Sequence, residues 1–449
     1  MNLVGKLSEQ TVRQLSKMKC EPNWLLDLRL EAYREFCRLA LPSDYPQINL
    51  DFGNLVYYNS LISNENEPVD RWSSVPKAIK NIYQQIGLPE NEQHYLAGAQ
   101  IQIDSRMVYQ QLFTSWTDSG IIFTDTDTAV QQYPELVKKY LSQVVDYHGN
   151  KLAALNTALW SGGSFIYVPP NVKLPIPLQA NFRINVSNLG QFERSLIILA
   201  EGASLKYVEG CSSPIFNSDS LHDSVVEIIV GPRARMSYLA VQNWSTNVLN
   251  IVSSRMLVDS EAIGEWVDIN IGSKITKKCP RIDLIGERAS GHILSLTTAQ
   301  TGQYQDSGGT IVHNACNTTS SIISKSISNG DGACLYHGNI IVESVAQLAK
   351  AATKCDSLLL DATSRADTFP VSQIKRPDAD VNHEATTGRI DQAKLSYLLS
   401  RGFNLDDATN LIIRGFAKPI IQKLPLEYSG ELNKLLKIYF GQPSEDVND

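Results

Sequence analysis

The sequence predicts a mainly β protein in which a long strand-rich centre is flanked by helical segments at both ends. Three observations carry this. From about Gly162 the chain breaks into short β-branched or alternating runs separated by Gly, Asn, Asp and Ser. A small residue followed by an alternating run recurs at Ala203, Ala234, Ala262, Ala289 and Thr318, at intervals of 27 to 31 residues. Apolar residues at helical spacing fill the first third and return after about Val381. A period of this order suggests stacked coils, as in a β-helix. An antiparallel β-sandwich with irregular loops is the alternative that periodicity leaves open.

Taken in order, Ser8 heads SEQTVRQLSKM, where Thr11, Val12, Leu15 and Met18 fall at helical spacing. Asn23 to Leu41 repeats the pattern, with Leu26, Leu30, Tyr33, Cys37 and Ala40 on one face. Cys37 belongs to that stripe and is expected to pack rather than react. A Pro/Asn-rich connection follows (Leu41 to Asp70), then helical patterns in VPKAIKNIYQQIG and PELVKKYLSQVV. The expected strands are SFIYVPP, NFRINV, RSLIILA, SLKYVEG, VVEIIV, MSYLAVQNW, NIVSSRMLV, GEWVDIN, HILSLTTAQ, SIISKSI and LYHGNIIV. Closing helices are expected in QAKLSYLLSRGF, LDDATNLIIRGFAKPII and LPLEYSGELNKLLKIYF, with Gly402 ending the first and Asp406 capping the next. This divides the chain into a helical region 1–115, a β core 116–380 with a helical lead-in to about 160, and a helical region 381–449.

Composition narrows the function. The chain has 449 residues, 43% hydrophobic and 19% charged, with a net charge of −7. That length suggests about two to four domains, and the acidic balance argues against a nucleic-acid surface. Seven widely spaced cysteines without a CxxC are not a secreted disulfide framework and fit a reducing, cytoplasmic setting. No apolar run approaches a membrane span, so no membrane partner is expected. The sequence lacks GxxxxGK[ST], so nucleotide hydrolysis is not expected on this chain, and it lacks a GxSxG elbow. HEATT lacks the second histidine of HExxH, since Thr387 stands there. A β-helix enzyme such as a polysaccharide lyase would cluster carboxylates or basic residues on one groove, and no such cluster is visible.

What remains is thiols, imidazoles and carboxylates. Cys211, in VEGCSSP, sits at a strand end before a turn, although nothing local supplies the positive charge that would favour its thiolate. Cys279 has two lysines before it and Arg281 after it. Cys355 follows Lys354 in KCDSLLL, and His383 and Glu384 lie some thirty residues downstream in VNHEATTGRI. A Cys, His and Glu set suits iron or zinc better than calcium or magnesium. The bland reading of each is a packed cysteine and a hydrogen-bonded surface pair. His313, Cys316, Cys334 and His337 add loosely spaced candidates that are better explained singly.

LSEQTVRQLSKMKCEPNWLLDLRLEAYREF, FRINVSNLGQFERSLIILAEGASLKYVEGCSSP, VQNWSTNVLN, SSIISKSIS, TKCDSLLL, NHEATTGRI and LPLEYSGELNKLL together resemble the B-type scaffold of the SUF iron–sulfur cluster assembly system, from about residue 7 to residue 437. The resemblance implies a right-handed parallel β-helix core flanked by N- and C-terminal helical domains. It also implies a partner ABC-type ATPase docked on the C-terminal helices. The scaffold would pair with a D-type paralogue or a second copy of itself near the end of the β-helix. Cys211 matches the family's acceptor of persulfide sulfur from a donor. Cys355 matches the cysteine that holds the nascent iron–sulfur cluster, with Glu384 as a companion ligand and His383 beside it. Arg183, Asn185, Gln242 and Trp244 match polar residues lining a sulfur route. Each pair lies two apart and should share a strand face. Association with a reduced flavin is implied, without a residue signature.

Two departures stand out. Ser254 occupies a position where better-known members carry a lysine of the route, and Arg255 next to it would point the other way. A cysteine-rich insertion common in relatives is replaced by Tyr58 to Asp70, which has no cysteine. The alternative function within the family is a D-type structural partner that carries no cluster of its own. Coexistence of EGC, KCDSLLL and NHEATT favours the B-type.

Overall fold

A computed structural model describes residues 2–41, 55–60, 69, 96–424 and 426–440. Its centre is a parallel β-solenoid of about eight coils. Each coil contributes one strand to each of two facing sheets. The coils run 164–183, 190–212, 220–244, 248–272, 275–299, 304–328, 333–359 and 365–389. Neighbouring coils pair in continuous parallel register, for example Arg235 with Ser204 behind it and Ile263 ahead. The parallel β-helix is therefore the correct one of the two architectures that periodicity left open.

The recurring small residue marks a corner. Ala203, Ala234, Ala262, Ala289, Thr318 and Ala349 stack there, all buried. Each carbonyl accepts from the amide that opens the second strand of the next coil, as in Arg235 N to Ala203 O (2.8 Å) and Ser290 N to Ala262 O (2.9 Å). The residue before each is left-handed: Gly202, Arg233, Glu261, Arg288, Asn317 and Leu348 have φ between 54° and 69°. Turning the chain this sharply leaves no room for a large side chain on the inner side, which is why the repeat reads as small residues.

Each expected strand run lies on a strand, although NFRINV leaves the sheet after Arg183. Six more complete the coils: Ile275–Lys278, Arg281–Leu284, Tyr304–His313, Lys350–Leu359, Arg365–Ile374 and Asp380–Arg389. The last corrects the sequence boundary, since residues 381–389 are the final strand and helix resumes at Gln392–Ser400. Coil five splits its first strand into Ile275–Lys278 and Arg281–Leu284 around Cys279 and Pro280. Within 1–115, Gly98–Ile103 and Arg106–Leu112 form an antiparallel hairpin that extends the second sheet beyond Leu178–Arg183, where helix was expected.

Helices cover the outer faces. Glu9–Met18, capped by Ser8, and Asn23–Arg38 pack with Lys151–Leu159 over the first sheet. Cys37 is exposed there, a correction; the buried face is Leu25, Arg29, Leu30 and Ala32. VPKAIKNIYQQIG and most of Leu41 to Asp70 lie outside the described residues. A buried ion pair, Arg194 with Glu227 (2.6 Å), ties this cover to the sheet, because Glu227 also accepts from the amides of Ser142, Val144 and Val145. Leu405–Ile421 and Leu426–Phe440 lay Ile413, Ala417, Ile420, Leu432 and Leu436 on the second sheet against Leu239, Val267, Ile269 and Leu296. Asn404, not Asp406, caps the first of these helices. The inward-facing side chains are buried along most of the solenoid, whereas most residues of the last coil are exposed. No helix among the described residues is long and apolar enough to cross a membrane.

Candidate functional site

Strict parallel register turns each inward position into a ladder running along the solenoid. One ladder is apolar at the outset: Tyr207, Tyr238 and Trp266 stack with ring centroids 5.7 and 4.2 Å apart. Beside it two ladders are polar. Cys211, Gln242, Asn270, Thr297, Ser326 and Ser357 follow one another from coil two to coil seven. Glu209, Ala240, Asp268, Ser295, Ser324 and Cys355 form the second. The register thus joins the neighbourhood of Cys211 to Cys355 over five strand spacings, about 24 Å at roughly 4.8 Å each. Burying so many polar groups is costly unless they are satisfied, and many are paired along the way: Asn270 with Asp268 (3.0 Å), Ser295 with Ser324 (2.9 Å), Thr297 with Ser307 (3.1 Å) and Ser326 with Ser357 (2.9 Å).

At the Cys211 end the interior is crowded with acids. The Cys211 thiol lies 3.9 Å from Glu209 Oε1. Glu193 and His222 approach from the facing sheet, with His222 Nε2 3.3 Å from Glu193 Oε2. The His222 ring lies over Trp244 (4.6 Å), and its Nδ1 is 2.9 Å from Asn250 Oδ1. Asn250 in turn donates to Gln242 Oε1 (2.6 Å). Burial, with Glu209 and Glu193 nearby, raises the Cys211 thiol well above the usual range, while Lys278 pulls it down. Glu209 is pushed up to about 7 by burial and by Glu193, again opposed by Lys278.

Lys278, like Glu193 and His222, is a residue that sequence reasoning missed. Its ammonium is buried in the interior, 2.5 Å from Asp268 Oδ1. It lies in the first sheet one coil beyond Val252, while Ser254 is also buried in that sheet. Arg255 points outward to Asp283 (2.6 Å), as expected. An internal cation is therefore present although Ser254 is not one. The available signal was alternation in KITKK, but its meaning depended on knowing the coil register. The positive charge that local sequence did not offer Cys211 comes from coil five.

Gln242 and Trp244 share the inward face of Arg235–Trp244, as expected, and both are buried. Arg183 and Asn185 do not share a strand face: the strand ends at Arg183, and Asn185 follows it, its amide on Asp104 Oδ1 (2.6 Å). Arg183 pairs in register with Ser212 and donates to its hydroxyl (3.3 Å), leaving the sheet opposite to Cys211 and its neighbour Phe182.

Cys355 is buried, 3.9 Å from Thr368 Oγ1, and burial pushes its thiol up to about 11 against hydrogen bonds from Thr368 and Ser357. His383 is registered with Thr353 and so shares Cys355's inward face. Glu384 is registered with Lys354 on the outer face, where the two form an exposed ion pair (3.1 Å). Cys355 and Glu384 are therefore not brought together within one chain. Cys279 lines a pocket of about 380 Å³ at the strand break with Ser254, Arg255, Lys277 and Arg281. His313 is buried between Thr318 and Ser320, His337 stacks on Phe369, and Cys334 is buried near enough to Cys355 for that thiol to raise it further.

Comparison with known proteins fits this geometry. Residues 182–416 match the model described as SUF system FeS cluster assembly, SufBD core domain, and residues 98–180 match the SufBD protein N-terminal region. The chain is 45% identical over 434 residues to an iron-sulfur cluster assembly SufBD family protein of Staphylococcus haemolyticus, and equally to one of Staphylococcus aureus. Each alignment covers 96% of this chain and 92% of the relative. A Staphylococcus saprophyticus relative is also 45% identical, over 432 residues. With a solenoid core matched by the family model and this identity across nearly its whole length, the chain belongs to the SufBD family of iron–sulfur cluster assembly proteins.

Proposed function

We propose that this chain is a B-type scaffold that accepts persulfide sulfur at Cys211 and builds a labile iron–sulfur cluster, its cargo, at Cys355. The observation that carries the reading is the pair of inward polar ladders linking the two cysteines. In the first step the Cys211 thiolate attacks the outer sulfur of a donor persulfide. The donor's S–S bond breaks, its thiolate leaves, and Cys211 holds the new persulfide. Glu209, 3.9 Å from the thiol and pushed up to about 7, takes the proton that Cys211 loses. Gln242, Trp244 and His222 line the space into which that sulfur projects, and Lys278 offers an anionic sulfur its counter-charge further along.

The cluster end favours assembly with a second chain. Strands Arg365–Ile374 and Asp380–Arg389 close the solenoid with no described strand beyond them, and Phe369, Val371 and Ile374 are exposed there. A paired chain, either a D-type paralogue or a second copy, covers that edge. It brings one chain's Glu384 to the other's Cys355, with His383 as the same-chain companion. On the C-terminal helices, exposed Tyr397, Leu405, Leu411 and Ile438 offer an apolar surface to an ABC-type ATPase.

Anaerobic reconstitution with ferrous iron and sulfide tests the reading. The wild type is expected to show thiolate-to-iron absorption and Cys355→Ser to lose it. A colourless wild type paired with itself would favour the D-type structural role.

A further inference from the structure

We propose that Glu193, Cys211 and His222 form a buried binding site for one borderline divalent cation, Fe²⁺ or Zn²⁺, separate from the cluster position at Cys355. The three side chains come from coils two and three and from both sheets, and one ligand atom from each lies within 4.8 Å of the others. The set of one thiolate, one imidazole and one carboxylate is of the type that these metals take. The 3.3 Å between Glu193 Oε2 and His222 Nε2 already matches the edge of a tetrahedral site, roughly 3.3 Å for metal–ligand bonds near 2.0 Å.

Two independent features point to a cation as the ligand of this site. First, Glu193 Oε1 is buried and has no hydrogen-bond partner among the described residues. A carboxylate oxygen in a sealed interior is costly unless something positive meets it. Second, the imidazole is turned for ligation. Asn250 donates from Nδ2 to Gln242 Oε1 (2.6 Å) and so presents its Oδ1 to His222 Nδ1 (2.9 Å). That places the ring proton on Nδ1 and leaves the Nε2 lone pair facing the Glu193 carboxylate. Two acceptors facing each other at hydrogen-bond distance require a proton or a metal between them. A carbonyl-type partner on the outer ring nitrogen is also the usual support for a ligating histidine.

Charge balance agrees. Glu193, Glu209 and Asp268 are buried in this part of the interior, and the buried ammonium of Lys278 is engaged by Asp268. Binding breaks the Cys211 S–H bond heterolytically. The sulfur keeps the electron pair and bonds the metal, the proton passes to Glu209 and on to solvent, and no electron is transferred. The site would place a first iron beside the cysteine that receives sulfur.

The test uses Co²⁺ alone, with the full chain under nitrogen and no sulfur donor, so its outcome is independent of sulfur acceptance. One Co²⁺ per chain with a thiolate-to-cobalt absorption band is expected in Cys355→Ser, where the cluster thiol is removed. In the Cys355→Ser background the band should vanish on adding Cys211→Ser, and affinity should fall about tenfold or more on adding Glu193→Gln or His222→Gln. X-ray absorption on the cobalt-loaded wild type needs no variant and should show one sulfur among nitrogen and oxygen neighbours. A Cys355→Ser chain without the band, a sulfur-free cobalt shell, or a band that survives Cys211→Ser in the Cys355→Ser background would each overturn the proposal.

Discussion

Cys355 and Glu384 leave adjacent strands of one sheet on opposite faces. Cys355 is registered with Ala385 and faces the interior, while Glu384 is registered with Lys354 and faces out. If both residues serve one cluster in a self-paired scaffold, they come from different chains. Cys355→Ser and Glu384→Ala, each inactive alone in reconstitution, should then complement when their subunits are mixed. Up to half of the sites in a mixed dimer regain both groups. Iron and sulfide content of the mixed dimer checks this, and no recovery would mean that the two do not act across an interface.

Lys278 and Asp268 form a buried pair in the interior. Lys278→Met leaves Asp268 uncompensated and should cost about 3–5 kcal/mol. Adding Asp268→Asn removes the stranded charge and should recover part of the loss. Urea unfolding of the three proteins measures both steps. Loss of Lys278 should also raise the Glu209 carboxyl further, since Lys278 opposes its rise.

His313 has a pH signature. Burial lowers its pKa from 6.5 to about 4. The unfolded chain therefore takes up this proton first as pH falls. The contribution of neutral His313 is fully present above about 6.5 and is lost progressively down to about 4, reaching roughly 3 kcal/mol. Stability of His313→Gln should lack this slope between pH 6.5 and 4. Parallel curves for variant and wild type would contradict the assignment.

Thiol reactivity should follow burial rather than local charge. Cys20 and Cys37 are exposed, while Cys211, Cys334 and Cys355 are buried. Burial pushes Cys334 up to about 12 and Cys355 up to about 11. Alkylation of the native chain near pH 8, mapped by peptide mass, should modify Cys20 and Cys37 first and those three last. Denaturation should equalise all seven.

Much of this fold was legible because most strands alternate β-branched residues, and because the corner permits only small side chains at Ala234, Ala262 and Ala289. YQDSGGTIVH and RADTFPVSQI escaped because the solenoid interior turns polar towards its end. Inward positions there hold Gln305, Ser307, Gly309, Ala366, Thr368 and Pro370, so alternation no longer separates inside from outside. The cysteines were legible from their motifs. Glu193, His222 and Lys278 were not, because they meet Cys211 only through a register that joins strands from three coils. Cys37 misled because a helical stripe says which residues are aligned, not how far along the helix the cover extends.

The central claim is that sulfur enters at Cys211 and is used at Cys355. The most direct measurement follows radiolabelled sulfur from a persulfide donor into the chain, with and without ferrous iron. The account predicts label on Cys211 and then in acid-labile sulfide in the wild type, label held on Cys211 without labile sulfide in Cys355→Ser, and neither in Cys211→Ser. Labile sulfide formed in Cys211→Ser as in the wild type would contradict it.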